Sequence, residues 1–306
     1  MKSEADIKLG FVGIGTMGAP MVRCLAQAGY RPVLFDIDTE AARAVATDAG
    51  LEVIDSLPDL GRACDIVILM LPHSGIVRRV CLGDGADALG LIEGLRPGSL
   101  VVDMSSSDPM ETRKLAPDLA QAGITLLDAP VSGGLRKAVA GTLSILLGSD
   151  DDAAAQRVTP ILKAMGTVVP TGPLASGHAS KALNNYVSAA GLAAACEALI
   201  VGRRFGLNPE TLVDVLNVST GRNNSTENKL KQFVLSGAFR KAGFALELMA
   251  KDVALAKSLS DDLGLEMPCL DEVSGLWSDA RSNLDPEADH TEIFSYLETV
   301  AGRDGG

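Results

Sequence analysis

The hexapeptide Gly13-Ile14-Gly15-Thr16-Met17-Gly18 constrains the fold of this chain more than any other segment. It follows an apolar run, Ile7–Val12. It opens a stretch, Met17–Ala28, in which Met17, Met21, Val22 and Leu25 recur at helical spacing before Gly29. A lone GxGxxG is weak. Between a strand and a helix, inside a βαβ unit of about 30 residues, it has the context that a dinucleotide pyrophosphate site requires. The reasons are steric and electrostatic. Gly13 permits a tight turn, Gly15 lets a pyrophosphate approach the backbone, and Gly18 lets helix and strand pack closely. The free N–H groups at the helix start, with the helix dipole, then bind the diphosphate.

The second strand, Val33–Phe35, leads into Asp36-Ile37-Asp38. Asp36 lies 23 residues after Gly13, close to the roughly 20 expected of a ribose-binding carboxylate. A carboxylate accepts hydrogen bonds from ribose hydroxyls and repels a 2′-phosphate. Ile37 stands where an NADP site would want Arg or Lys. NAD is the expected cofactor. Ile66–Leu71 is a buried-strand run stopped by Pro72; Leu71 and Pro72 would border the cofactor. Leu100–Asp103, Thr125–Asp128, Leu143–Leu147 and Thr167–Val169 are further strands. Helical stretches such as 39–49, 109–122 and 152–165 separate them. Fully apolar strands alternating with helices imply an α/β fold, a Rossmann-type, doubly wound, mostly parallel sheet covered on both faces. From Gly177 onward no strand stands out. Lys181–Phe205 is Ala-rich and helical, and more helical stretches follow. The predicted organisation is a cofactor domain over residues 1–172 and an all-helical substrate and oligomerisation domain over 173–306.

Composition narrows the partners. The 306 residues carry 27 Lys and Arg against 39 Asp and Glu, a net charge of −12. That argues against nucleic acid, whose binders show a basic face, and against an anionic membrane. Hydrophobic residues make up 47%, which excludes a mainly disordered chain. Aromatics are only 4% and Gly numbers 32, so the core must be small and aliphatic. The five Cys form no CxxC pair and the three His are scattered, so neither a redox dithiol nor a metal site is expected. The N-terminus lacks the pattern of a signal peptide. The longest apolar stretch, Tyr186–Val201, falls short of the roughly 20 residues a membrane span needs. A cytoplasmic location with reduced thiols is the expectation.

Two more segments bear on chemistry. Asp128-Ala129-Pro130-Val131-Ser132-Gly133-Gly134 follows a strand, at the sheet edge where α/β proteins bind ligands. The Ser132 hydroxyl and the unobstructed N–H groups of Gly133 and Gly134 suit a carboxylate. Gly177-His178-Ala179-Ser180-Lys181 leads to Asn184-Asn185. Lys181 and Asn185, four apart, share a helix face. A Lys at the start of an apolar helix is where desolvation can lower its pKa from about 10.4 toward neutrality.

These segments, in this order and at these separations, resemble the β-hydroxyacid dehydrogenase family, which includes 3-hydroxyisobutyrate dehydrogenases and tartronate semialdehyde reductases. The likeness runs from Phe11–Met21 through the DAPVSGG and GHASK segments to Lys251-Asp252-Val253 and covers nearly the whole chain. Val22 and Cys24 depart from the family's pattern, at positions read as packing details. The resemblance implies hydride transfer between nicotinamide and a small β-hydroxyacid, with its semialdehyde as partner. It implies Lys181 as general acid/base. Ser132, Gly133 and Gly134 would hold the substrate carboxylate, and Asn185 would orient the substrate. Gly13, Ile14, Gly15, Thr16, Met17, Gly18, Asp36, Ser105, Ser106 and Lys251 would lie at the cofactor. His178 is read as a variable loop residue and not as a base. Tartronate semialdehyde, serine or threonate are alternative substrates, and the role of Arg222 is open. An imine reductase is disfavoured by Lys181. A 6-phosphogluconate dehydrogenase is disfavoured by length and acidity, and a non-catalytic NAD-binding scaffold by the intact Lys181 and Asn185. The family also implies a homodimer or homotetramer.

Overall fold

The computed structural model describes residues 7–85 and 88–303. Two compact units divide between Lys181 and Ala182. The sequence places the change of architecture earlier, at residue 172. That is where the last strand ends, and the helix beginning at Ser176 runs through the division between the units.

The first unit is a βα array. Its strands are β1 (Leu9–Val12), β2 (Val33–Phe35), β3 (Ile66–Leu69), β4 (Leu100–Asp103), β5 (Thr125–Asp128), β6 (Val131–Ser132), β7 (Leu143–Gly148) and β8 (Gly166–Gly172). Its helices are α1 (Gly18–Gln27), α2 (Thr39–Ala49), α3 (Leu57–Ala63), α4 (Ser74–Leu82), α5 (Pro109–Gln121), α6 (Gly134–Ala140) and α7 (Asp152–Lys163). The sheet runs β2-β1-β3-β4-β5-β7, with β8 beside β7. Alternation along the strands builds two cores. Ile66, Ile68, Leu100 and Val102 belong to one, and Val67, Leu69 and Val101 to the other, because successive residues face opposite sides of a sheet. Local chemistry sets the helix starts. Asp108 accepts from the N–H groups of Met110 and Glu111 ahead of α5, Pro109 occupies its first position, and Asp151 caps α7 likewise.

The sheet is not parallel throughout. β7 runs antiparallel to β5 and β6, with Asp128 opposite Gly148, Val131 opposite Ile145 and Ser132 opposite Ser144. β6 therefore continues the ladder of β5 after the interruption at Ala129-Pro130. A two-residue strand is too short for its periodicity to be legible, so the DAPVSGG segment reads as a loop from sequence.

The second unit is helical: most of α8 (Ser176–Phe205), then α9 (Pro209–Val218), α10 (Asn224–Asn228), α11 (Leu246–Asp262), α12 (Pro268–Asn283) and α13 (Ile293–Arg303). A π-helical turn, Leu230–Leu235, follows α10. Trp277, Leu192, Cys196, Leu199, Val213 and Val253 are among its buried core. α8 has 30 residues and by length and composition could cross a membrane, unlike the shorter stretch measured from sequence. Its buried residues Ala189, Leu192, Cys196 and Leu199 pack into this core.

The three fingerprint glycines are required for different reasons. Gly13 adopts φ 96°, and a Cβ there would lie 2.2 Å from the Met70 carbonyl oxygen. A Cβ on Gly18 would lie 1.9 Å from the Gly13 carbonyl oxygen, so α1 starts directly against the turn. A Cβ on Gly15 would meet nothing within 4 Å. The fold thus needs Gly13 and Gly18, and the open space beside Gly15 fits a pyrophosphate. Gly18→Ala is expected to cost about 3 kcal/mol or more through backbone overlap, while Gly15→Ala changes stability by under about 1 kcal/mol. Urea unfolding of both variants checks this; equal losses would refute the distinction.

Candidate active site

The carboxyl ends of β1 to β4 collect most of the residues predicted at the cofactor. Gly13 follows β1 and its N–H donates to the Phe35 carbonyl at 3.0 Å, tying the turn to β2. Ile14 is buried, Gly15 and Thr16 are exposed, and Met17 is half-buried. Asp36 follows β2. Its Oδ2 accepts the Ile14 N–H at 2.5 Å and its Oδ1 accepts the Asp38 N–H at 2.8 Å. The carboxylate assigned to the ribose thus also braces the fingerprint turn. Leu71 follows β3 and Ser105 follows β4, and the Leu71 N–H donates to Ser105 Oγ at 2.9 Å. Ser105 is 0% exposed. Its hydroxyl supports the Leu71 turn from beneath and does not line an open groove, which corrects the expectation. Ser106 is half-buried and Pro72 is exposed. Lys251 lies in the second unit, beside Asp252 with 3.8 Å from Nζ to Oδ1.

The predicted substrate segment forms β6 and the start of α6. Ser132 ends the strand half-buried, and Gly133 and Gly134 follow at φ 131° and 66°, in the region that favours glycine. The half-buried Lys181 donates from Nζ to the Val131 carbonyl at 2.8 Å. Its ammonium group therefore rests on the peptide next to Ser132, so two segments 50 residues apart in sequence meet. Asn185 belongs to the second unit. It accepts from Asn184 Nδ2 at 3.0 Å and donates to Asp252 Oδ2 at 2.6 Å. Asp252 is 2% exposed. Asp252 therefore orients the amide of Asn185, a duty the sequence motif does not reveal.

Beneath Lys181 lies a buried polar cluster that sequence reasoning missed. Asp128, at the end of β5, accepts the Ala175 N–H on Oδ1 at 2.7 Å and the His178 N–H on Oδ2 at 2.8 Å. Glycine makes room for this carboxylate: a Cβ on Gly148 would lie 2.3 Å from Oδ1 and one on Gly177 2.8 Å from Oδ2. Burial pushes the Asp128 carboxyl above its ordinary pKa, against the opposing pull of His178 and the two N–H groups. His178 is not a loop residue. It lies in the first turn of α8 and is 1% exposed.

No group of three His, Cys, Asp or Glu among the described residues could hold a metal ion. The five cysteines are free thiols and only Cys269 is exposed. Burial raises Cys64 and Cys196 to about 12, which makes them poor nucleophiles.

Comparison with known proteins agrees with this geometry. Residues 8–172 match the family model described as the NAD binding domain of 6-phosphogluconate dehydrogenase. Residues 175–297 match that described as the NAD-binding of NADP-dependent 3-hydroxyisobutyrate dehydrogenase. The chain is 33% identical over 300 residues to 2-(hydroxymethyl)glutarate dehydrogenase of Eubacterium barkeri, covering 98% of this chain and 97% of that protein. It is 36% identical over 257 residues to the mitochondrial 3-hydroxyisobutyrate dehydrogenase of Homo sapiens, covering 81% and 74%. The solved structure of Mycobacterium tuberculosis 3-hydroxyisobutyrate dehydrogenase with L-serine superposes with a TM-score of 0.85 at 28% identity, covering 95% of this chain and 99% of that one. Fingerprint, lysine, glycine cradle and full-length likeness lead to one conclusion: the chain belongs to the β-hydroxyacid dehydrogenase family of NAD(P)-binding oxidoreductases.

Proposed function

We propose that this protein interconverts a small β-hydroxyacid of the 3-hydroxyisobutyrate class and its semialdehyde, with NAD as the hydride carrier and Lys181 as the acid/base. The observation that carries the reading is the 2.8 Å bond from Lys181 Nζ to the Val131 carbonyl, which holds the ammonium group beside the Ser132-Gly133-Gly134 segment. When bound, the nicotinamide supplies the acceptor for the hydride that leaves the alcohol carbon with its electron pair. The chain's residues do the rest. Ser132 and the N–H groups of Gly133 and Gly134 hold the substrate carboxylate and so fix which carbon is presented. Lys181 takes the hydroxyl proton in oxidation and returns it to the carbonyl oxygen in reduction, sparing the reaction a free alkoxide. The family resemblance gives Asn185 the part of orienting the substrate, and its amide is held by Asp252. The family resemblance gives Lys251 a place near the cofactor, where its positive charge would act. Tartronate semialdehyde, serine and threonate share the carboxylate and the neighbouring oxygen, and they complete the substrate class.

Lys181→Ala is expected to lower kcat by about 10²-fold or more with unfolding unchanged, because general acid–base catalysis contributes typically 10²–10⁴-fold. Turnover is read at 340 nm against a panel of C3–C4 hydroxyacids; wild-type rates in the variant would end the assignment.

Asp36 and the fully presented Ile37, 94% exposed, support NAD over NADP, since neither offers a cation to a 2′-phosphate. One matching family model is described as NADP-dependent, so the preference rests on these two residues. kcat/KM is expected to favour NAD by at least about tenfold, or about 1.4 kcal/mol. A reversed ratio would remove the role given to Asp36.

Assembly as a homodimer or homotetramer is part of the same reading. α8 exposes Leu183, Val187, Val201 and Phe205, the last at 83%, an apolar stripe suited to burial against a second copy. Light scattering should return at least twice the chain's 31.7 kDa. A monomer across micromolar concentrations would contradict it.

A further inference from the structure

We propose that His178 is a positioning residue for hydride transfer: it locks the helical turn carrying Lys181 to the first turn of α5, beside the Asp103 end of β4. The inference rests on the reading of Lys181 as acid/base. His178 precedes Lys181 by three residues, so both lie on one side of α8's first turns. The imidazole is wholly buried, and its Nδ1 lies 2.9 Å from Thr112 Oγ1. The Thr112 hydroxyl donates its own proton to the Asp108 carbonyl at 3.1 Å. The imidazole and this hydroxyl are bonded to each other, whichever of the two donates. That bond ties α8 to α5.

The other ring nitrogen faces β4. Nε2 is 3.7 Å from Asp103 Oδ2 and has no hydrogen-bond partner. Asp103 is itself held, its Oδ1 accepting the Ser105 N–H at 2.9 Å and its Oδ2 the Ser107 hydroxyl at 2.7 Å. Ser105 in turn holds the Leu71 N–H. Hydrogen bonds thus join the cofactor edge at Leu71 to Ser105 and Asp103, and the Asp103 carboxylate lies 3.7 Å from the imidazole on the turn of Lys181. The backbone of that turn is fixed separately, by Asp128 and by Gly177, where a Cβ would lie 2.1 Å from the Leu146 carbonyl oxygen. The side chain of His178 adds the link to α5, which the backbone contacts do not make.

Loss of this link should displace the Lys181 ammonium group without removing any group that binds substrate or cofactor. Misplacement of about 1 Å costs up to about 10²-fold in rate, and a defect confined to the transition state lowers kcat while leaving KM. The test uses the full-length protein with NAD and the hydroxyacid turned over fastest in the panel. His178→Ala is expected to lower kcat by about 10- to 100-fold, with both KM values within about threefold of wild type. His178→Asn, which returns an amide able to bond the Thr112 hydroxyl from the place of Nδ1, should recover kcat to within about threefold. Thr112→Val removes the hydroxyl at nearly constant volume and should lower kcat alone by about 3- to 10-fold. It decides the matter if the alanine variant does not fold. Wild-type kcat in Thr112→Val, a His178→Asn variant as slow as alanine, or losses mainly in KM would overturn the proposal. Lys181→Ala, run in parallel, separates the two readings. If it keeps turnover, the acid/base assignment fails; if it alone loses turnover, only the role of His178 fails.

Discussion

The site depends on how Asp128 is buried. A carboxylate at the end of a central strand needs donors, because desolvation without them is expensive. Two backbone N–H groups from the start of α8 supply them. The requirement works in both directions. The strand end satisfies its acid only if the helix arrives there, and the helix satisfies two of its free N–H groups only if the acid is there. Gly148 and Gly177 admit the contact because neither has a side chain to occupy the space. Once the first turn of α8 is seated, Lys181 follows by helical geometry, and its ammonium group reaches the carbonyl before Ser132.

A different constraint governs the cofactor edge. The chain carries a net charge of −12, yet the fingerprint offers an anion backbone N–H groups and a helix start, so the global charge does not decide the local one. Acidic residues even reinforce the turn. Asp36 takes up the Ile14 N–H, which holds the glycine loop against β2. The low aromatic content suits the same design. Small residues allow the backbone approaches at Gly13 and Gly18, and in the second unit they let Ala189 and Ala256 share a core with a single Trp.

Much of this was legible beforehand. The central strands carry continuous apolar runs, and turn or capping residues bound most of the helices, so local chemistry marks them. Short elements escaped. β6 has two residues and reads as a loop, although its antiparallel pairing with β7 sets the position of Ser132. The π-helical turn at 230–235 has no signature in spacing. Ser105 shows the limit for side chains. Its place after β4 suggests a groove, but its hydroxyl is turned to Leu71 and buried.

The sequence by itself determined the fingerprint turn, the βα alternation, the helical second half and the order of the motifs. Each rests on interactions within a few residues or on a fixed period. Only the tertiary structure decided which distant groups meet: Lys181 with Val131, Asp128 with the start of α8, and His178 with Asp103 and Thr112. Those contacts join residues 47 to 75 positions apart, and no local pattern encodes them. They arise because one sheet brings the ends of its strands to the same edge.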